Sequence, residues 1–248
     1  MRKATLLWVV TMLVCAGAGQ GVAAAPGGTR VAQLIEVGAS STCDYHTLGA
    51  AIAAAQPGDT IKVQNATFYE APLLIDKDLT LAGGYNSADP HNCLTQTGTG
   101  RTTFQRLGTS AESAIRIADA TVTVRWFEVA LNAFGSGLEV DNAEATLEHV
   151  ILRENEGPTG GGVRITGSDV TLRDCEVLDN AAHAGGGLFV FNGSTVVAEE
   201  SLFRGNQGWD VGAGVYVGGA STFAATSETS IESNVTPFGC DYGGGIYS

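Results

Sequence analysis

Charged side chains recur along this chain at intervals that would bring them together if the backbone coiled. Arg125, Glu148 and Arg173 stand 23 and 25 residues apart. Arginine beside carboxylates is what polysaccharide cleavage uses. Hydrolysis needs two carboxyl groups across a glycosidic bond, and elimination needs a base with calcium beside a uronate. An alternating Arg-Glu-Arg column is also a plain surface charge ladder, and that reading is the simpler one. Asp169, Asp174 and Asp179 lie five residues apart, and a chain that turns between them points them in different directions. His46, His91, His149 and His183 have no metal-ligand spacing, so no structural metal is expected. Asp210 and Asp241 each stand two residues before a glycine turn, in GWDVGAG and GCDYGGG. Calcium is the one cofactor such oxygen-rich turns would hold, and weakly. The order and period of calcium-binding nonapeptides are absent, which favours a role in satisfying backbone donors.

The other spaced set is largely aromatic. Arg164, Phe189, Tyr216 and Tyr247 each follow the apolar residue that opens a repeat. Lined up and facing outward they form a stripe that could bind a glycan or a protein. The same rings could instead cover neighbouring backbone.

These residues need a scaffold with a matching period, and the sequence supplies one. Glycine-x-glycine followed by an apolar residue falls at Gly137-Leu138, Gly162-Val163, Gly187-Leu188, Gly214-Val215 and Gly245-Ile246, at intervals of 25, 25, 27 and 31. Asn155, Asn180, Asn206 and Asn234 follow the first four apolar positions, and Ile115 with Asn132 is an earlier copy without the glycines. Three residues before each asparagine stands an apolar side chain: Val129, Leu152, Val177, Phe203 and Ile231. A period of this length made of short β-rich runs, without a leucine comb or helical stretch, is one coil of a parallel β-helix. Strands then pair with their equivalents one coil along, about 4.8 Å away. Apolar columns face inward, the asparagines stack as an amide ladder, and glycine serves positive φ or close approach between coils.

Residues 43–109 read as an N-terminal cap with the first coils, and 110–248 as repeats of about 23–31 residues, incomplete at the C-terminus. Within the first part, Leu48, Ala51, Ile52 and Ala55 recur at helical spacing, Thr47 can cap and Pro57-Gly58-Asp59 stops, which predicts a short amphipathic helix over Thr47 to Ala55. Such a helix would cover one raw end of the solenoid. The chain stops at GGGIYS as a new coil begins, so a further C-terminal domain or chain is expected to cover the other end.

Residues 1–25 read as a signal peptide: Arg2 and Lys3, the apolar run Leu6 to Val14, and small residues before the cleavage site. Nine apolar residues fall short of the ~20 that span a bilayer, so no transmembrane segment is expected after cleavage. Residues 26–42 read as a linker. Losing Arg2 and Lys3 leaves 11 basic against 26 acidic side chains, a mature charge of −15. That balance argues against nucleic acid or anionic lipid as partner. Four cysteines remain for an oxidising compartment, with three possible pairings. Cys43 and Cys93, both among turn-like residues, are the preferred disulfide. Cys175 sits at an inward position as a small hydrophobe, and Cys240 is left open. Asn65-Ala-Thr, Asn192-Gly-Ser and Asn234-Val-Thr match the glycosylation acceptor pattern, which a chain this rich in Asn, Ser and Thr also produces by chance.

The Gly-Gly-Gly-apolar turns, with FRGN at Phe203 to Asn206 and its relatives LREN and VLDN, resemble the repeats of right-handed parallel β-helix proteins, most nearly the polymorphic outer membrane protein type of bacterial surface proteins. The segment HTLGAAIAAAQPGDTIKVQNATFYE, with DLTLAGGYN after it, resembles the opening of pectate-lyase-like β-helices. The resemblance covers roughly residues 43 to 248 and implies an all-β solenoid. It departs in using Gly-Gly-Gly more than Gly-Gly-Ala, and only one copy carries Phe before x-x-Asn. The Asn-Thr-Asp, Asp-Asp, Gly-His-Gly and Arg-Ile-Lys phrases of β-helical hydrolases are absent. The expectation is an exported surface or secreted adhesion module that meets a glycan or a host or neighbour-cell surface protein. The alternative is a divergent lyase or hydrolase of acidic glycans.

Overall fold

The computed structural model describes residues 30–86, 93–94, 96–97, 100–226, 228–237 and 243–248. The signal peptide, His91, Cys240 and Asp241 lie outside the described residues. The solenoid is the compact unit Ala32–Ser248.

Alternation of apolar and polar residues over three to five positions makes each strand half-buried. Three long parallel sheets result, beside a two-stranded one of Ala181–Ala184 and Gln207–Val211, and the chain visits the three in the same order in each coil. The first sheet runs Leu34–Val37, Asp59–Gln64, Leu79–Asn86, Thr121–Arg125, Glu144–Glu148, Asp169–Arg173, Thr195–Glu199 and Thr222–Ala225, with Gln96–Thr97 added antiparallel at Leu79–Asn86. The second holds seven strands from Thr67–Glu70 to Ser230–Glu232, and the third seven from Leu73–Ile75 to Ile246–Tyr247. This is an all-β solenoid of about seven turns, with one helix among the described residues.

Register follows the repeat. Ile115, Leu138, Val163, Leu188, Val215 and Ile246 are paired in succession along the third sheet. In the second sheet Val129, Leu152, Val177, Phe203 and Ile231 are paired likewise, and the column begins earlier, at Phe68 and Phe104. The earlier coils escaped the period because 42 residues separate Leu73 from its partner Ile115. The chain between Asn86 and Thr102 makes that coil longer, and a solenoid tolerates the extra length at small entropic cost. The linker reading of 26–42 is corrected too: Leu34–Val37 is a strand paired with Thr60 to Val63. Four residues are too few to display a period.

The first strand is an edge, and it is covered. The Asp44 carboxylate accepts from Glu36 N at 2.8 Å, and Tyr45 N donates to Glu36 O at 3.1 Å. The helix Leu48–Ala54 buries Leu48, Ala51 and Ile52. Its first N–H groups, at Leu48 and Gly49, donate to the Glu70 carboxylate at 2.7 and 2.9 Å, and Lys77 Nζ donates to the last carbonyls, Ile52 O and Ala55 O. Both ends complement the helix dipole with a charge from a neighbouring coil.

Glycine has two duties in the turns. Gly160, Gly185, Gly212 and Gly243 take positive φ, whereas Gly162 and Gly187 lie against the next coil, where a Cβ would meet a carbonyl oxygen at 2.6 Å. The coil corners reach positive φ without glycine, at Asp119 and Asn142, at Trp126, His149, Asp174 and Glu200, and at Leu131, Glu154 and Asp179.

Cys43 is bonded to Cys93, 50 residues along. With Ala82, Tyr85 and Leu94 they form a small apolar cluster apart from the main core. No helix among the described residues is long and apolar enough to cross a membrane.

Candidate functional site

Every second residue of a third-sheet strand points outward, so one strand position becomes a row along the axis with a spacing of about 4.8 Å. In one such row, Leu74, Arg116, Glu139, Arg164, Phe189, Tyr216 and Tyr247 follow each other by register. All four candidate residues of the stripe, Arg164, Phe189, Tyr216 and Tyr247, are therefore neighbours.

The row has a charged half and an aromatic half. Arg164 Nη1 donates to Glu139 Oε1 at 2.8 Å, and Arg116 Nε lies 3.5 Å from the same oxygen. Ser113 Oγ donates to Glu139 Oε2 at 2.8 Å, and Arg116 Nη2 to Asp141 at 2.5 Å. That bond to Asp141 is the main reason the Arg116 guanidinium titrates above its ordinary range. Charge is thus balanced between the row and Asp141, two residues along the strand from Glu139. Beyond it Phe189 stacks on Tyr216 with centroids 4.9 Å apart and planes 5° from parallel, and Tyr216 on Tyr247 at 5.7 Å and 15°. Phe191, two residues along, joins Phe189 at 5.7 Å. The rings cover one another, so what they leave toward solvent is their edges. Ring edges carry the positive end of the aromatic quadrupole and suit oxygen-rich groups.

The amide ladder is internal. Asn155 Nδ2 donates to Asn180 Oδ1 at 3.1 Å, Asn180 Nδ2 to Asn206 Oδ1 at 3.0 Å, and Asn206 Nδ2 to Asn234 Oδ1 at 2.9 Å. Each amide also donates to the backbone carbonyl of the apolar residue one coil back, Val129, Leu152, Val177 or Phe203. Asn132 ends the ladder differently: its Nδ2 donates to Ser136 O at 2.8 Å, and its Oδ1 accepts from Arg106 Nε at 2.8 Å. The Asn234 amide is committed to this ladder, which removes it from the glycosylation matches.

A second ladder, of serines, is absent from the sequence reading. Ser168, Ser194 and Ser221, 26 and 27 residues apart, sit at the corner between the third and first sheets, and each hydroxyl accepts from a backbone N–H of the preceding coil. Their spacing was the available signal. At the next corner Cys175 does the work of a serine. Its Sγ donates to Arg173 O at 3.3 Å, as Ser201 Oγ does to Glu199 O at 2.8 Å. Burial pushes the Cys175 thiol up to about 12.

The remaining candidates are dispersed. Arg125, Glu148, Arg173 and Glu199 are paired along the first sheet, with Arg173 Nε donating to Glu199 at 2.7 Å. Asp169 begins a first-sheet strand, Asp174 turns its corner and Asp179 lies beyond the second sheet. His46 Nδ1 meets Gly38 O at 2.7 Å, His149 Nδ1 meets Asp174 at 2.6 Å, and His183 Nδ1 meets Asp210 at 3.1 Å. Among the described residues no three His, Cys, Asp or Glu side chains are grouped to hold a metal. Asp210 is drawn to His183 instead. An acidic hollow of about 490 Å³ runs beside the serine ladder, rimmed by Asp78, Asp119, Glu144 and Asp169. Asp119 there accepts from Asn142 Nδ2 at 2.6 Å, and Asp78 from Thr121 N at 2.7 Å.

Residues 92–248 match the family described as right handed beta helix region. The chain belongs to the right-handed β-helix family. Among solved structures this β-helix is similar to a pectin methylesterase mutant in complex with a hexasaccharide, with 13% identity, a TM-score of 0.51, and 81% of this chain and 68% of that one covered. It also aligns with the pectin methylesterase from Aspergillus niger at 17% identity and a TM-score of 0.39, over 83% and 82% of the two chains. At such identities the likeness is one of fold. No curated relative matches this β-helix in sequence.

Proposed function

We propose that this β-helix is an exported adhesion or interaction module whose recognition face, the outward row of the third sheet, performs no chemistry. The observation that carries the reading is the run of near-parallel rings Phe189, Tyr216 and Tyr247, continuous with a half in which Arg116 and Arg164 are already matched by Glu139 and Asp141. A face with balanced charge on a molecule of net charge −13 repels acidic glycans and favours an extended neutral glycan laid along the axis. Ring edges and phenol hydroxyls would meet its hydroxyl groups, as oxygen-rich ligands require. One structural relative holds a hexasaccharide; sugar binding here rests on the row, not on that likeness. The Cys43–Cys93 bond supports an oxidising, extracytoplasmic compartment.

Calorimetric titration with neutral hexasaccharides (xylan- and glucan-derived) tests the assignment. Binding is expected, and Tyr216→Ala should weaken it about tenfold, the scale of losing one well-placed aromatic contact. No heat with any neutral glycan, or an affinity untouched by Tyr216→Ala, would remove the face from consideration.

A further inference from the structure

The corner between the first and second sheets holds chemistry that the recognition face does not use. Trp126, His149, Asp174 and Glu200 occupy equivalent turn positions in successive coils, all at positive φ between 48° and 59°. That repetition lines their side chains up outside the solenoid. The His149 ring lies flat on Trp126, centroids 4.0 Å apart and planes 22° from parallel. On its other side Nδ1 is 2.6 Å from Asp174 Oδ2. A carboxylate can only accept, so the Nδ1 of a neutral His149 carries the proton and Nε2 keeps its lone pair. Behind the stack, Arg101 Nε donates to His149 O at 3.2 Å and the guanidinium sits 5.8 Å from the Trp126 ring centre.

An imidazole held in one tautomer and one orientation, beside a hollow, is the arrangement of a general base. The hollow measures about 310 Å³ and is lined by Glu148, His149, Arg173, Asp174, Glu199 and Glu200. That is the lower end of small-ligand pockets. Arg173 gives Nε to Glu199 at 2.7 Å and lies 3.8 Å from Glu148 through Nη1, which leaves Nη2 without a partner among the described residues. The molecule contains its own contrast. His183 and Asp210 are also a pair one coil apart, but at 3.1 Å, with Trp209 edge-on and side chains more exposed, at 57% and 67% against 35% and 59%.

We propose that His149 is the general base of a hydrolytic site for small neutral carboxylic esters, with Asp174 as its positioning residue. Nε2 takes a proton from a water molecule as the water oxygen adds to the ester carbonyl carbon. The developing oxyanion would be stabilised by the Arg173 guanidinium, which lines the same hollow. The tetrahedral adduct then collapses, the bond from carbon to the alcohol oxygen breaks, and the proton on Nε2 passes to the leaving oxygen. One ester and one water become one carboxylic acid and one alcohol. The carboxylates of Glu148, Asp174, Glu199 and Glu200 outnumber the local cations and exclude anionic substrates, uronates included.

The test uses 4-nitrophenyl acetate with the mature chain. Hydrolysis above the buffer rate is expected. His149→Gln should lower it about 100-fold, the usual share of a general base. Asp174→Asn should lower it about tenfold or more and displace the pH profile, because the amide no longer dictates the tautomer. His183→Gln should match the wild type. A wild-type rate equal to buffer, an active His149→Gln, or an equal loss in His183→Gln each overturns the proposal. Nitrogen-15 correlation spectra of the unmodified protein serve as a readout that needs no variant. The His149 proton is expected on Nδ1, and finding it on Nε2 refutes the orientation on which the site depends.

Discussion

Cys175 shows how one side chain can meet a structural demand and create a liability. It occupies the corner place that Ser201 fills one coil later, with its sulfur between Leu147 O and Arg173 O, and it is 1% exposed. Burial raises its titration from 9.0 to about 12. Between those values the folded state keeps the proton while the unfolded chain gives it up. Its stabilising contribution is therefore full below pH 9 and shrinks as the pH climbs toward 12. Denaturant midpoints at pH 8 and pH 10.5 should accordingly fall further in the wild type than in Cys175→Ser, which keeps the hydrogen bonds and does not titrate there. Equal falls in the two proteins would show that the thiol is not withheld from solvent. The same scale limits what the sequence could reveal about His149. Its spacing shows no motif, because its partners Trp126 and Asp174 come from the coils before and after it.

Elements here are columns, and each depends on the coils beside it. Asn180 accepts from Asn155 N and Nδ2 at 3.0 and 3.1 Å, and donates to Leu152 O and Asn206 Oδ1 at 2.9 and 3.0 Å, with no exposure to water. Asn180→Ala strands several of these buried groups. A loss of about 2–3 kcal/mol is expected, since each unsatisfied buried group costs about 1–3 kcal/mol. Urea unfolding measures it, and a variant within error of the wild type would mean that the ladder is not what binds coil to coil. Asn206, which makes bonds of the same four kinds, should respond alike, and Asn155, whose Oδ1 accepts only from the Asn132 N–H, should lose less. The Asn132 side chain is bonded to Arg106 and Ser136, and it is the Asn132 backbone N–H that reaches the ladder, donating to Asn155 Oδ1 at 3.2 Å.

At the scale of the molecule, a solenoid is a chain of nearest-neighbour interfaces, so a perturbation stays near its source. The Cys43–Cys93 bond spans the capping helix and the first strands. Reduction, or Cys43→Ser with Cys93→Ser, should cost about 2–4 kcal/mol by freeing the unfolded chain. Hydrogen exchange should then quicken in strands such as Leu34–Val37 and Asp59–Gln64 while Val163–Thr166 and Glu176–Leu178 remain protected. Uniform loss of protection along the axis would show the coils to unfold as one unit. The outward aromatic row and the His149 corner lie on different faces of the solenoid, so either can be altered alone.

The repeat by itself determined the coil, the inward columns and the register, because a periodic backbone places equivalent residues at equivalent positions and the glycine and asparagine signals recur with it. It also brought Arg164, Phe189, Tyr216 and Tyr247 into one row. What it could not determine was how neighbours in a row treat one another. Only the packed structure turned the rings onto each other's faces, tied Arg164 to Glu139, and laid His149 between Trp126 and Asp174. Side-chain rotamers and corner geometry decide such contacts, and both are set by the coil above and below instead of by residues adjacent in the chain.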